Sequence, residues 1–336
     1  MKNITKTLLV LVSALSISFA SATAGELSVS GAAKASYVIG GANDSQSKGI
    51  GVGNELNATA SGEMDNGFTW SYSTELDPAD GGTATNDDSQ LVIGMGDMGT
   101  IGFFDSEGGL SQELGYGIGA LGTGYDHVSP TTFEVGYDVS SYSNIQYHSP
   151  ADLLPFGLTA KIAYAPDPDS TNNSGNGAGA NQVQKQATYV GAMTAVRVDA
   201  SPIDGLKIGG DYYEVGGNVT DGIKQEKTGG NVYAQYAMGN FKVGITEGYV
   251  ETGLIAKTTG VVADTATALN APRYNTSGMG IEFAVNDQLS ISYNNEEFER
   301  VTTAAIADTK TSTVKTGVTS EQDTIMAAYN IGGATV

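Results

Sequence analysis

Residues 55–76 read ELNATASGEMDNGFTWSYSTEL. Leu56, Ala58 and Ala60 alternate with Glu55, Asn57, Thr59, Ser61 and Glu63; after Asp65-Asn66-Gly67, Phe68, Trp70, Tyr72 and Leu76 alternate with Thr69, Ser71, Ser73 and Glu75. Successive side chains of a strand point to opposite faces, so this period of two predicts two strands, each with one apolar and one polar face. Asp65-Asn66-Gly67 supplies positive φ for a tight turn, and the stretch reads as a hairpin.

The same alternation extends in both directions. Upstream, over Glu26 to Ile39, Leu27, Val29, Ala33, Ala35, Tyr37 and Ile39 share one parity, and Ser28, Ser30, Lys34 and Ser36 the other. Downstream it recurs at Leu91/Ile93/Met95, Ile101/Phe103, Ile145/Tyr147, Leu158/Ala160/Ile162/Tyr164, Val196/Val198/Ala200 and Leu206/Ile208/Tyr212. It continues at Val232/Ala234/Tyr236, Phe241/Val243/Ile245, Met279/Ile281/Phe283/Val285, Leu289/Ile291/Tyr293 and Ile325/Ala327/Tyr329, for about 14 strands. The parity blurs near Thr188 to Ala195 and Tyr274 to Ser277, which reads as a bulge or as a strand placed in the wrong register.

The connections alternate as well. After even strands they are short, as at Asp65-Asn66-Gly67, Ser201 to Gly205 and Met238-Gly239-Asn240. After odd strands they are long and polar: about 40–51, 77–88, 105–140, 165–186, 216–228, 250–271 and 298–319. Short turns at one rim and long loops at the other predict an all-β, transmembrane antiparallel β-barrel.

Composition narrows the class further. The formal charge is −21, with 46 Gly, 17 Tyr, 8 Pro and no Cys. Such acidity argues against nucleic acid and anionic substrates, and an exported chain without cysteine has no disulfide scaffold. Lys2 and Lys6, the apolar run Thr7 to Phe19 and Ala22-Thr23-Ala24 predict a secretory signal peptide over residues 1–24, leaving a barrel domain over 25–336. No later run approaches the roughly 18 apolar residues of a membrane helix.

The polar parity is mostly Ser, Thr, Asn and Gln, while the apolar parity carries almost no charge in mid-strand. That distribution suits apolar residues facing lipid around a wet interior, because a central Lys or Arg on a lipid face costs roughly 2–4 kcal/mol. Tyr37, Tyr72, Tyr164, Tyr212, Tyr236, Tyr293 and Tyr329 lie on the apolar parity near strand ends, as interfacial girdles require.

The segment Ser143-Asn-Ile-Gln-Tyr-His-Ser-Pro150, followed by Leu153 to Tyr164, resembles the sixth and seventh strands of the Gram-negative trimeric general porins, with Ile145, Tyr147, Ser149, Pro150, Phe156, Gly157 and Tyr164 matching their pattern. Gly99 to Asp105 resembles the strand before their constriction loop, without the Gly-Arg found there. The resemblance implies a 16-stranded barrel, a homotrimer in outer-membrane lipid, and a third loop folded into the lumen. It implies further that the last strand or strands lie beyond Val336; a 14-stranded barrel is the alternative.

On this reading the third loop carries Asp105, Glu107, Glu113 and Asp126 and no Lys or Arg. Where the resemblance expects an arginine cluster, the polar parity holds Glu55, Gln90, Gln146 and His148. The remaining wall charges are the cations Lys34, Lys161, Arg197, Lys207 and Lys242, spread around the wall, and the acids Glu63, Glu75, Asp199, Asp211 and Glu282. Excess carboxylate enriches cations locally, so a weakly cation-preferring pore for ions and small hydrophilic solutes is expected. The alternative is a structural or adhesive barrel whose long loops bind partners.

No enzyme, cofactor or metal site is expected. Gly94 to Gly99 matches G-x-G-x-x-G, but a strand rather than a helix is predicted next. Asp167, Asp169 and Asn86-Asp87-Asp88 lack calcium-loop spacing, and His127 and His148 are the only histidines of a chain without Cys.

Overall fold

The computed structural model describes residues 26–38, 49–78, 84–112, 118, 138–150, 153–166, 190–217, 219–220, 223–224, 227–251, 269–305, 312–331 and 334–335. The predicted signal peptide, Glu113, Asp126 and His127 lie outside these residues. The chain divides into two compact units, residues 1–96 and 97–336.

In the first unit β1 (Glu26–Val38), β2 (Gly49–Glu63), β3 (Thr69–Pro78) and β4 (Ala84–Gly94) pair antiparallel in chain order. The opening hairpin is β2–β3, with Leu56 opposite Leu76 and Ala60 opposite Tyr72. Its turn closes through Gly67 N–H donating to Met64 O at 2.9 Å, with Gly67 at φ 82°, where a side chain would be strained.

In the second unit β5 (Thr100–Asp105), β6 (Asn144–His148), β7 (Thr159–Ala165), β8 (Val190–Ala200) and β9 (Leu206–Gly217) again pair in sequence. A two-stranded hairpin, β10 (Val219–Thr220) with β11 (Ile223–Lys224), then precedes β12 (Lys227–Met238), which pairs with β9. β13 (Phe241–Glu251), β14 (Leu269–Ala284), β15 (Leu289–Ala305), β16 (Ser312–Ile331) and β17 (Ala334–Thr335) follow by the same rule. Gly94 to Gly99 leads into the strand β5 and not into a helix.

Several strands outrun their alternation. β15 continues through Ala305 and β16 begins at Ser312, so most of the expected 298–319 loop is paired strand. β14 starts at Leu269 and β2 at Gly49, shortening two more loops. Beyond the lipid zone the chain no longer needs an apolar face, yet backbone pairing still satisfies its amides. Of the two blurred stretches, one is a register shift between Val190 and Met193. The other, in β14, is regular: Tyr274 follows the polar parity and is buried there.

Candidate functional site

The large apolar side chains point outward into exposure. Leu27, Val29 and Leu56 do so in the first unit, and Ile162, Val198, Ile208, Val243, Met279 and Ile281 in the second. Val232 and Ile245 are each 60% exposed and Ile325 78%, values that in water would mark a large apolar patch in need of cover. The polar parity is inverted: Gln146 is 1% exposed and Asn294 and Glu296 0%.

The apolar zone has a slanted edge. Pairing aligns Tyr212 with Gly230, Tyr249, Asn275 and Glu299, and Leu206 with Tyr236, Val243, Ile281, Tyr293 and Ile325. Between these rows lie Gly210, Val232, Glu247, Ser277 and Glu297, then Ile208, Ala234, Ile245, Met279, Asn295 and Asp323. The last large apolar residue before polar ones take over is Tyr212 on β9, Val232 on β12, Ile245 on β13, Met279 on β14, Tyr293 on β15 and Ile325 on β16. The edge thus falls three outward-facing rows over five strand steps. At roughly 3.3 Å per residue and 4.8 Å between strands that is about 20 Å in 24 Å, a slope near 40°. A flat membrane cutting strands tilted by roughly 35–45° demands such a slope. Tyr293 sits on this edge, and its hydroxyl donates to Asp323 Oδ1 at 2.6 Å, just past the apolar zone.

The polar face of the second unit is covered by the segment after β5. Asn144 on β6 donates from Nδ2 to the carbonyls of Glu107 (3.1 Å), Val139 (3.1 Å) and Tyr142 (2.9 Å), tying the two ends of the 105–140 loop to one wall residue. Gln146 donates to Asn144 Oδ1 at 2.8 Å and to Gly108 O, and pairs with His148 Nε2 at 2.8 Å. Asp138 accepts from Leu110 N (2.9 Å) and Ser111 N (3.1 Å), and Asp211 accepts from Gln112 N at 2.7 Å. Beneath the segment lies a small apolar core of Leu110, Ile118, Val139, Met193, Tyr213, Val250 and Phe298, with Tyr142, Val215 and Tyr274.

The expected site residues fall into place as follows. Asp105 accepts Ser143 Oγ–H at 2.7 Å, and Glu107 turns back on Gly108 N at 3.0 Å. Gln146 and Asp211, expected as wall groups facing water, are instead engaged with the loop, because the loop's backbone amides need partners once covered. Two of the cations share one level, Lys161 facing Arg197 in the strand register, with the polar His148 opposite Lys161 and Asp211 opposite Arg197. Period-two strands force this row, since residues of like parity at one level share a face. Arg197 bonds Asp199 through Nε (2.7 Å) and Nη2 (3.1 Å), and Tyr233 Oη donates to Asp199 at 2.8 Å. Lys242 lies 3.6 Å from Glu282, and Lys207 is exposed opposite Gln235.

In the first unit Glu63 faces Thr69, Glu75 faces Asn57 and Gln90 faces Ser73. Lys34 lies opposite Gly53, and Glu55 opposite Ala32. Asn144, Asp138, Asn231, Tyr233 and Asn294 escaped sequence reasoning. Their signal was polar parity for the four on strands; Asp138, inside a long loop, had none.

Outward apolar strands with a slanted edge and a covered polar face define an outer-membrane β-barrel. The sequence matches the family described as Gram-negative porin over residues 7–336, and the chain belongs to that family. It is thus an outer-membrane channel protein of the diffusion type. The fold is similar to the anion-selective porin from Comamonas acidovorans, at 14% identity over 91% of this chain and 85% of that one, with TM-score 0.55. A porin refined at 1.8 Å resolution gives 13%, 92%, 91% and 0.54. A loop L8 deletion mutant of OmpT, an outer membrane protein of Vibrio cholerae, gives 13%, 92%, 90% and 0.53. No curated protein matches the sequence. Among the described residues no helix is long and apolar enough to cross a membrane, which strands cross instead.

Proposed function

We propose that the protein forms a water-filled pore passing ions and small hydrophilic solutes passively, with a weak preference for cations. The observation that carries this reading is the inversion of faces: apolar residues outside, hydrogen-bonded polar and charged residues inside. Asp105 and Glu107 add negative potential to the loop, and Glu113 and Asp126 add two further acids to its sequence. Opposite charges are partly neutralised, since Arg197 is bound to Asp199 and Lys242 lies beside Glu282. The chain as a whole is −21, and removal of Lys2 and Lys6 with the signal peptide makes it −23. Lys34, Glu55, Glu63, Glu75 and Gln90 in the first unit and Lys161 and Lys207 in the second are the remaining polar-parity groups of this reading.

Planar-bilayer recording tests this. Purified protein gives ohmic steps, and a potassium chloride gradient gives a reversal potential of cation-selective sign that shrinks as salt screens the charges. Absence of any conductance refutes the pore, and a reversal potential of opposite sign refutes the preference. We infer a homotrimer from the family resemblance, checked by the mass of the unheated, detergent-solubilised species. The signal peptide is checked by the N-terminus of the mature protein, expected at Gly25.

A further inference from the structure

Two wall residues from strands far apart in sequence hold the lumenal segment. Asp211 on β9 accepts the peptide N–H of Gln112 at 2.7 Å, and its neighbour Asn231 on β12 reaches Ser111 Oγ at 3.4 Å. Asn294 on β15 donates from Nδ2 to the carbonyl of Ile118 at 3.1 Å. Asn294 is 0% exposed, and Leu110 and Ile118, flanking these contacts, are 1% and 2% exposed. An added methyl at Gly280 would fall 2.6 Å from Ile118, so the segment rests on the bare backbone of β14. A buried amide left without its partner is costly, so each contact favours this arrangement.

We propose that Asp211 and Asn294 are positioning residues that fix this segment against the wall, and that the steadiness of the aperture depends on them. Asp211 then acts on loop backbone and not as an ion-selecting wall charge. This rests on the pore reading above. Release of either contact detaches Gln112 or Ile118 from the wall.

Single-channel recording of Asp211→Ala, Asp211→Asn and Asn294→Ala tests it, with the heat-modifiable gel shift showing which variants fold. Asp211→Asn keeps an acceptor oxygen for Gln112 N–H and loses the charge. The expected result is a several-fold rise in open-channel noise and brief closures for Asp211→Ala and Asn294→Ala, with Asp211→Asn as quiet as the parent. The proposal is overturned if all three match the parent. It is equally overturned if Asp211→Asn and Asp211→Ala shift the reversal potential alike with no change in noise, the signature of a simple wall charge. A second readout is independent of conductance: the chain has no Cys, so Ser111→Cys reports the segment alone. Its labelling by a water-soluble maleimide should accelerate several-fold when Asn294→Ala is added, and an unchanged rate counts against the clamp. A parent protein that conducts nothing would sink the pore reading while leaving the labelling result to decide the clamp.

Discussion

Placing one charge on the outward face asks directly where that face lies. Val243 sits between Phe241 and Ile245 on β13, opposite Tyr236 and Ile281, and is 43% exposed. Were it in water, Val243→Lys would change stability by less than about 0.5 kcal/mol, as exposed substitutions do. In the middle of a lipid-facing band the same change costs roughly 2–4 kcal/mol. That shifts the folded-to-unfolded ratio by roughly 30- to 1,000-fold. Glu247→Lys, two rows further along the same strand and past the apolar edge, changes it by about 0–1 kcal/mol. The assay is reversible urea unfolding in lipid vesicles followed by Trp70, the only tryptophan. If Val243→Lys and Glu247→Lys unfold together with the parent, the apolar face is not in lipid and the barrel orientation argued from the slanted edge is wrong.

Three further outcomes follow from the wall and the inner core. Lys161 stands between His148 and Arg197 on the lumenal row, so Lys161→Gln should move the reversal potential toward cations at 0.1 M salt and much less at 1 M, where the Debye length is about 3 Å; no movement at low salt would remove Lys161 from the selectivity argument. Phe298 is 0% exposed beneath the lumenal segment, so Phe298→Ala should lower unfolding stability by about 3–5 kcal/mol in the same urea assay, and a loss below about 1 kcal/mol would mean the inner core does not bear on folding. Gly205 has φ 77° and an added Cβ would clash with Ala237 O, so Gly205→Ala should destabilise by more than about 1 kcal/mol and by more than Gly239→Ala, which bears only the strain of its positive φ in open space; equal effects would show that φ strain and not the clash dominates.

The alternation of Leu56, Ala58 and Ala60 with Asn57, Thr59 and Ser61, and its recurrence along the chain, was enough by itself to determine antiparallel strands with one apolar face. The spacing of short turns and long loops predicted a barrel with one short-turn rim and one long-loop rim. Those features are local: side-chain parity follows from backbone geometry, and a lipid-facing row tolerates no charge whatever the rest of the chain does. Tertiary structure alone decided what happens on the other face. Met193, Tyr213, Val250, Tyr274 and Phe298 lie on the polar parity and break the sequence pattern because Leu110, Ile118 and Val139 arrive from a distant loop to cover them. Asp211 reads as a wall charge until Gln112, 99 residues away in the chain, offers its amide, and Asn294 reads as a polar filler until Ile118, 176 residues away, offers its carbonyl. Partners so far apart in sequence leave no periodic trace, since only folding brings the donor to its acceptor.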